Sequence, residues 1–342
     1  MRWTIPFLLA AGCVNTLEEH ESRVGELERD CVIPIPEGVA ALGAPVSIEF
    51  DDASIWIWES LSLSDDSTVA NAAARITRDA CARPPDLARD VAGIRSVLAL
   101  SIEELASNAT RTDGKRLALV PSGGFAHDGL GYLFYDHVLY GPGFFDAETL
   151  GTGLCVLDPK SANPCERIGD DTILWRPDRR VLNRGGVVVD DRALIAGCRK
   201  VASFDEPCIV NGVPIADVRE PDAYQVWDAF HGWVDPMTDA SELTNTIGSL
   251  TIAPFDGGFI ATQLELFDNR VVVQLSDRAE QDYGHRITAF DVLPPTQWFV
   301  SGGREHASLR TDPRSIAVTY ATDNPAAPGL HLVEFRFFEG IE

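Results

Sequence analysis

Along most of the chain apolar and polar residues alternate with a period of two, the pattern of half-buried strands. Short runs rich in Val, Ile, Phe, Trp and Tyr recur, each broken by an Asp- or Gly-bearing corner. Residues 46–63 read as strand, Asp51-Asp52 corner, strand. The form returns around His127-Asp128-Gly129, Asp190-Asp191, Asp256-Gly257-Gly258 and Thr311-Asp312-Pro313. The second strands begin near Trp56, Tyr132, Ala193, Phe259 and Ile316, roughly every 60 to 75 residues. Further apolar runs at 151–159, 208–218, 270–277 and 329–339 supply outer strands. This repeat predicts an all-β fold, a five-bladed β-propeller over residues 45–342. The last run can pair beside an N-terminal strand and close the ring, leaving no open edge. A β-sandwich accommodates five matching hairpins less well. One stretch departs from period two: residues 68–109 are rich in Ala and Arg with helical periodicity, which predicts a helical insertion in the first blade over about 68–110.

The first 44 residues follow another pattern. Arg2 precedes an apolar stretch, Ile5 to Leu9, and then small residues. This is the layout of a secretory signal, too short to span a bilayer. Leu9-Ala10-Ala11-Gly12-Cys13 resembles a bacterial lipobox, with Ala10 where leucine is commonest. The resemblance implies that residues 1–12 are removed and that Cys13 is acylated and anchors the chain to a membrane, since two or three acyl chains hold far more firmly than one. Val14, in place of Asp, favours the outer membrane of a Gram-negative bacterium. Residues 13–44, charged at first and then rich in Pro and Gly, read as a lipidated tether and linker. Setting Cys13 aside leaves six cysteines, an even number that suits disulfides in an exported chain. Cys155 and Cys165 flank one turn-rich segment and Cys198 and Cys208 another, so each pair can staple a hairpin. That leaves Cys31 with Cys81. No CxxC or HxxxH spacing argues for a metal.

Composition narrows the function. Of 342 residues 45% are hydrophobic, enough for a sizeable core, and the formal net charge is −24. Such a field repels phosphate backbones and excludes nucleic acid as a main partner. Its plainer effect is to keep the protein soluble, and the chain is expected to be a monomer. No nucleophile elbow, P-loop or dinucleotide fingerprint appears. Ser122-Gly123-Gly124 and Ser301-Gly302-Gly303 lack the helix-opening context, so no cofactor is expected.

WIWESL at 56–61, GYLFYDHVLYGPGFFDAETLGTGLCVLDP at 131–159, ALIAGCRK at 193–200, PCIVNGVPIADVREPDAYQVWD at 207–228 and LHLVEFRF at 330–337 resemble a bacterial group of propellers known as domain of unknown function 4185. That group is similar to five-bladed glycoside hydrolase propellers, and the likeness implies a carbohydrate site at one mouth of the central channel. Glycoside hydrolysis takes two carboxyls, one acting as acid and one as base or nucleophile. Glu59 stands where related propellers carry an Asp. Asp136, among aromatics in Phe134-Tyr135-Asp136-His137, has the setting that raises a carboxyl pKa and suits a general acid. Glu305 and His306 are expected to open the last inner strand and face the channel. Arg184 can hold a carboxylate or hydroxyl through its fork of donors. Trp227, His231 and Trp233 can form a sugar-stacking platform, though packing between blades is their more frequent use. Two functions follow: a cell-envelope propeller that binds carbohydrate or another envelope ligand without catalysis, or a glycoside hydrolase-like enzyme using paired carboxylates.

Overall fold

The computed structural model describes residues 24–339 except 91–92, 144–145, 161–164, 170–172, 178–180, 200–205, 236–239, 247–248, 266–267, 282, 293–299 and 323–327. The expected signal at 1–12, Cys13 and the first part of the expected tether lie outside these residues. Five small antiparallel sheets follow one another along the chain. Blade 1 runs outward from Val46–Glu49 through Ser54–Leu63 and Thr68–Ile76 to Asp86–Leu87. Blade 2 comprises Arg116–His127, Leu130–Tyr140, Ala147–Leu157 and Glu166–Arg167. Blade 3 comprises Gly186–Val189, Arg192–Cys198, Glu206–Pro214, Gln225–Asp228 and Gly232–Val234. Blade 4 comprises Leu250–Phe255, Gly258–Glu265, Arg270–Ser276 and Ile287–Asp291. Blade 5 starts at Val300–Glu305 and continues through Ser315–Thr322 and Gly329–Phe337. The inner strands of consecutive blades touch from blade 1 through blade 5, and His306 bonds Glu49 to join the last blade to the first. The protein is therefore a five-bladed propeller.

Its core is a set of seams between blades, each filled by the apolar face of two neighbouring sheets. Hairpin corners form where Asp tolerates the left-handed backbone: Asp128, Asp190 and Asp256 have φ of 50°, 53° and 43°.

Three expectations need correction. The tether does not extend to residue 44, because Gly25–Val32 is the outermost strand of blade 5, antiparallel to Gly329–Phe337. Its charges are ladder partners: Arg29 bonds Glu334 at 3.0 Å, and Arg336 bonds Glu26 and Glu28. A charged edge strand suits the last position of a sheet. The helical insertion shrinks to Ile102–Thr110, capped by Ser101 and Glu104. Thr68–Ile76, Ala-rich as it is, forms a strand because its small residues lie opposite tryptophans: Ala74 faces Trp56 and Ala72 faces Trp58. All four are buried. Tertiary complementarity here overrides intrinsic helix propensity. In blade 5, Glu305 ends the inner strand and His306 leads into a short 3-10 turn, Ala307–Leu309. Gly302 and Gly303, at φ of 96° and 76°, lie inside that strand, where a Gly pair reads as a break.

The disulfides pair as expected. Cys31–Cys81 ties the closing strand to blade 1, and Cys155–Cys165 and Cys198–Cys208 staple blades 2 and 3. Three disulfides belong to a chain oxidised outside a reducing cytosol. Among the described residues no helix is long and apolar enough to cross a membrane.

Candidate functional site

Two polar clusters occupy the channel. One lies toward the end where the inner strands of blades 2 and 3 begin. Asp136 sits on the second strand of blade 2, opposite Val120 and Thr152, on the face turned to blade 3. Thr152 Oγ1 donates to its Oδ1 at 2.7 Å. Burial raises its carboxyl pKa to about 6, against the lowering effects of Thr152 and the Arg184 charge. Arg184 precedes the inner strand of blade 3. Its backbone lies against Gly123, where a Cβ would come within 1.9 Å of the Arg184 carbonyl oxygen, so only glycine allows this approach. Its Nη2 bonds Glu206 at 2.9 Å, and its charge also acts on Asp136. One guanidinium thus pairs with a carboxylate of its own blade and acts through its charge on another in blade 2.

Arg304, on the inner strand of blade 5, reaches the Ser122 carbonyl oxygen in blade 2 at 3.4 Å. Blades 2 and 5 are not ring neighbours, so this contact crosses the channel. Burial, with repulsion from Arg184, lowers its pKa to about 10. Glu59 is exposed at the same end as Asp136, where its Oε1 accepts from the Tyr140 hydroxyl at 2.7 Å. Tyr140 is pushed well above its ordinary pKa by burial, by Glu59 and by Asp136.

The second cluster closes the other end. Glu49 accepts from Ser54 Oγ at 2.7 Å and Ser308 Oγ at 2.6 Å, and lies 3.0 Å from His306 Nδ1. Burial raises its pKa, but these donors more than offset it and leave the group below its ordinary value. His306 Nε2 lies 2.7 Å from Thr319 Oγ1. The order Glu, His, Thr imitates a nucleophilic triad, yet His306 and Thr319 are 0% exposed, so no substrate can reach them. The set is a clasp between blades 1 and 5. Glu305 is buried beside it, its Oε1 accepting from Arg310 at 2.6 Å. Burial raises its pKa, Arg310 lowers it and the nearby Glu49 raises it, for a net rise.

The structure therefore brings Asp136 and Arg184 together, sets Glu59 at the same end, and places Glu305 and His306 at the other. Trp227 and Trp233 lie outside the channel, on the fourth and fifth strands of blade 3. They pack edge to face at 5.2 Å, and Arg278 and Arg192 cover their rings at 5.6 and 4.6 Å. His231 bonds Asp228 at the tip of that hairpin. The expected stacking rings are thus packed against each other and against arginines on the outer strands of blade 3, away from Asp136 and Arg184. Sequence reasoning missed Glu206, Arg304 and Ser122. Ser122 and Arg304 belong to Gly-flanked segments that carry no motif, and Glu206 stands alone before Pro207. Among the described residues no group of three His, Cys, Asp or Glu could hold a metal ion.

No family model matches the chain, and no curated protein matches it. Solved structures do. A proposed hydrolase of Bacteroides ovatus ATCC 8483 superposes with a TM-score of 0.58 at 13% identity, over 89% of this chain and 87% of its own. The β-fructofuranosidase BmSUC1 of Bombyx mori, of glycoside hydrolase family 32, superposes with a TM-score of 0.50 at 8% identity, over 90% of this chain and 62% of its own. At such identities the likeness establishes a shared propeller fold, one used by glycoside hydrolases, and says nothing of individual residues.

Proposed function

We propose that the protein acts on glycans at the Asp136 end of its channel as a glycoside hydrolase-like enzyme, with Asp136 as general acid. One observation carries the reading: a carboxyl raised to about 6 shares Arg184 with a second carboxylate, Glu206, from the adjacent blade. An acid with a pKa near the working pH and a second carboxyl in a different environment is what glycosidic cleavage uses. Glu206, paired with Arg184 at 2.9 Å, fills the role of base or nucleophile, and Glu59 is the alternative at the same rim. The neighbouring solved propellers support the class. The resemblance to domain of unknown function 4185 belongs to this proposal too.

The address is proposed with it. Cys13 is the acylated mature N-terminus, and the protein is an exported monomer held on an outer membrane, free of nucleic acid. Gly25–Val32 is locked into blade 5, so the tether is residues 13–24 at most. The mass of the mature N-terminal peptide tests the lipid: unmodified Cys13, or an N-terminus elsewhere, overturns it.

The activity is tested with a panel of polysaccharides assayed for new reducing ends, with Asp136→Asn as control. Turnover abolished in the variant supports the reading. Binding without turnover in the wild type leaves a glycan-binding propeller and removes the enzyme.

A further inference from the structure

The charges of the channel do not balance where they stand. Arg184 is paired with Glu206 at 2.9 Å and also feels the charge of Asp136. Arg304 has none: among the described residues no carboxylate lies within ion-pair distance, and its bond to the Ser122 carbonyl is its side chain's one polar contact. Arg184 lies close enough to repel it, and burial adds to the cost. Two further donors nearby are idle. Ser122 Oγ and Arg184 Nε are buried without an acceptor. The Ser122 carbonyl accepts from Arg304, the Arg184 backbone lies against Gly123, and the Arg184 charge acts on Arg304, so the three residues meet where the channel is crossed.

A partly buried guanidinium without a counter-charge, beside a like charge, is costly to hold unless a ligand completes it. Unsatisfied donors alone call for acceptors, and a guanidinium fork matches a planar or tetrahedral oxyanion. The geometry points to a glycan that carries an anionic group, a uronate carboxylate or a sulfate ester, docked on Arg304 with Ser122 Oγ and Arg184 Nε as further donors. This rests on the glycan-site reading and specifies its substrate class. The overall charge of −24 repels such ligands at long range, so recognition is local and sensitive to what stands at Arg304.

The other candidates carry less. The cleft of about 340 Å³ between blades 3 and 4 has its one tryptophan, Trp233, already covered by Arg192. The cleft of about 620 Å³ beside Arg310 has that arginine neutralised by Glu305.

The test measures binding by NMR shift perturbation on the wild type, Arg304→Gln and Arg304→Lys. Probes are glucuronate, galacturonate, glucose 6-sulfate and the neutral parents glucose and galactose. The wild type is expected to bind the anionic sugars at least tenfold more tightly than the neutral ones, with the margin changing little between 20 and 300 mM salt, because a partly buried pair is screened much less than an exposed one. Arg304→Gln removes the preference and keeps neutral binding, and Arg304→Lys retains part of it because the charge stays while the fork goes. Whichever anion binds better, carboxylate or sulfate, identifies the group. Equal affinity for charged and neutral sugars, or a preference that survives Arg304→Gln, overturns the inference and leaves the glycan site standing. No binding of any sugar by folded wild type removes both. Should Arg304→Gln not fold, the wild-type margin, its salt dependence and the lysine variant decide.

Discussion

At Asp136 the local environment works against ionisation, and that has a signed consequence for stability. Its native pKa is raised to about 6 from an ordinary 3.8, so the folded state holds the proton more tightly than the unfolded one. Stability falls as pH rises from about 4 to about 6 and does not recover above that window. Asp136→Asn keeps an acceptor for Thr152 and removes the buried charge. It is expected to stabilise the protein at pH 7 by about 1–3 kcal/mol, read from denaturant melts, while lowering turnover by about a hundredfold or more. Such opposed effects mark a residue kept for function at a cost to stability. A variant less stable than wild type at pH 7 would show that the charge is well compensated. Glu49 behaves with the opposite sign, since its pKa is lowered and its stabilising effect is lost as pH falls through the folded value. Glu49→Gln strips His306 and Ser308 of a charged partner and should cost about 2–4 kcal/mol. A change under about 0.5 kcal/mol in the same melts would mean that the clasp is dispensable. Asp136 was legible in the sequence because a lone acid among aromatics is unusual. Arg304 and Glu206 were not, since what makes them notable is a partner, or the lack of one, far away in the chain.

At the scale of elements, period-two patterning exposed the hairpins, and Asp-bearing corners gave their turns. It failed where neighbours decide. Thr68–Ile76 reads as helix by composition, and only the tryptophans opposite its alanines make it a strand. Replacing Ala72 or Ala74 by Leu is therefore expected to destabilise by overpacking, by about 1–3 kcal/mol, whereas a true exposed helix would tolerate it. Gly25–Val32 reads as tether because its charges outnumber its apolar residues, yet those charges meet complementary ones on Gly329–Phe337. The tryptophan hairpin shows the limit of residue type as a guide. Aromatic and polar residues in sequence can mean a sugar platform or a packed rim, and only the strand order separates them.

For the whole molecule, closure is what makes a ring of marginal sheets cooperative. The closing strand is held by its ladder and by Cys31–Cys81, which spans 50 residues. Removing that disulfide should cost about 2–5 kcal/mol, and deleting residues 25–32 should broaden the unfolding transition as blade 5 loses its edge. The channel inherits its geometry from this closure, with Glu49 and the buried His306 toward one end and Asp136, Arg184 and Arg304 gathered toward the other. The claim that this end does acid chemistry is most directly tested by titrating the carboxyl carbon of Asp136 by NMR, assigned by difference from Asp136→Asn. The account predicts a midpoint at about 6. A midpoint near 3.8, the ordinary value, would contradict it.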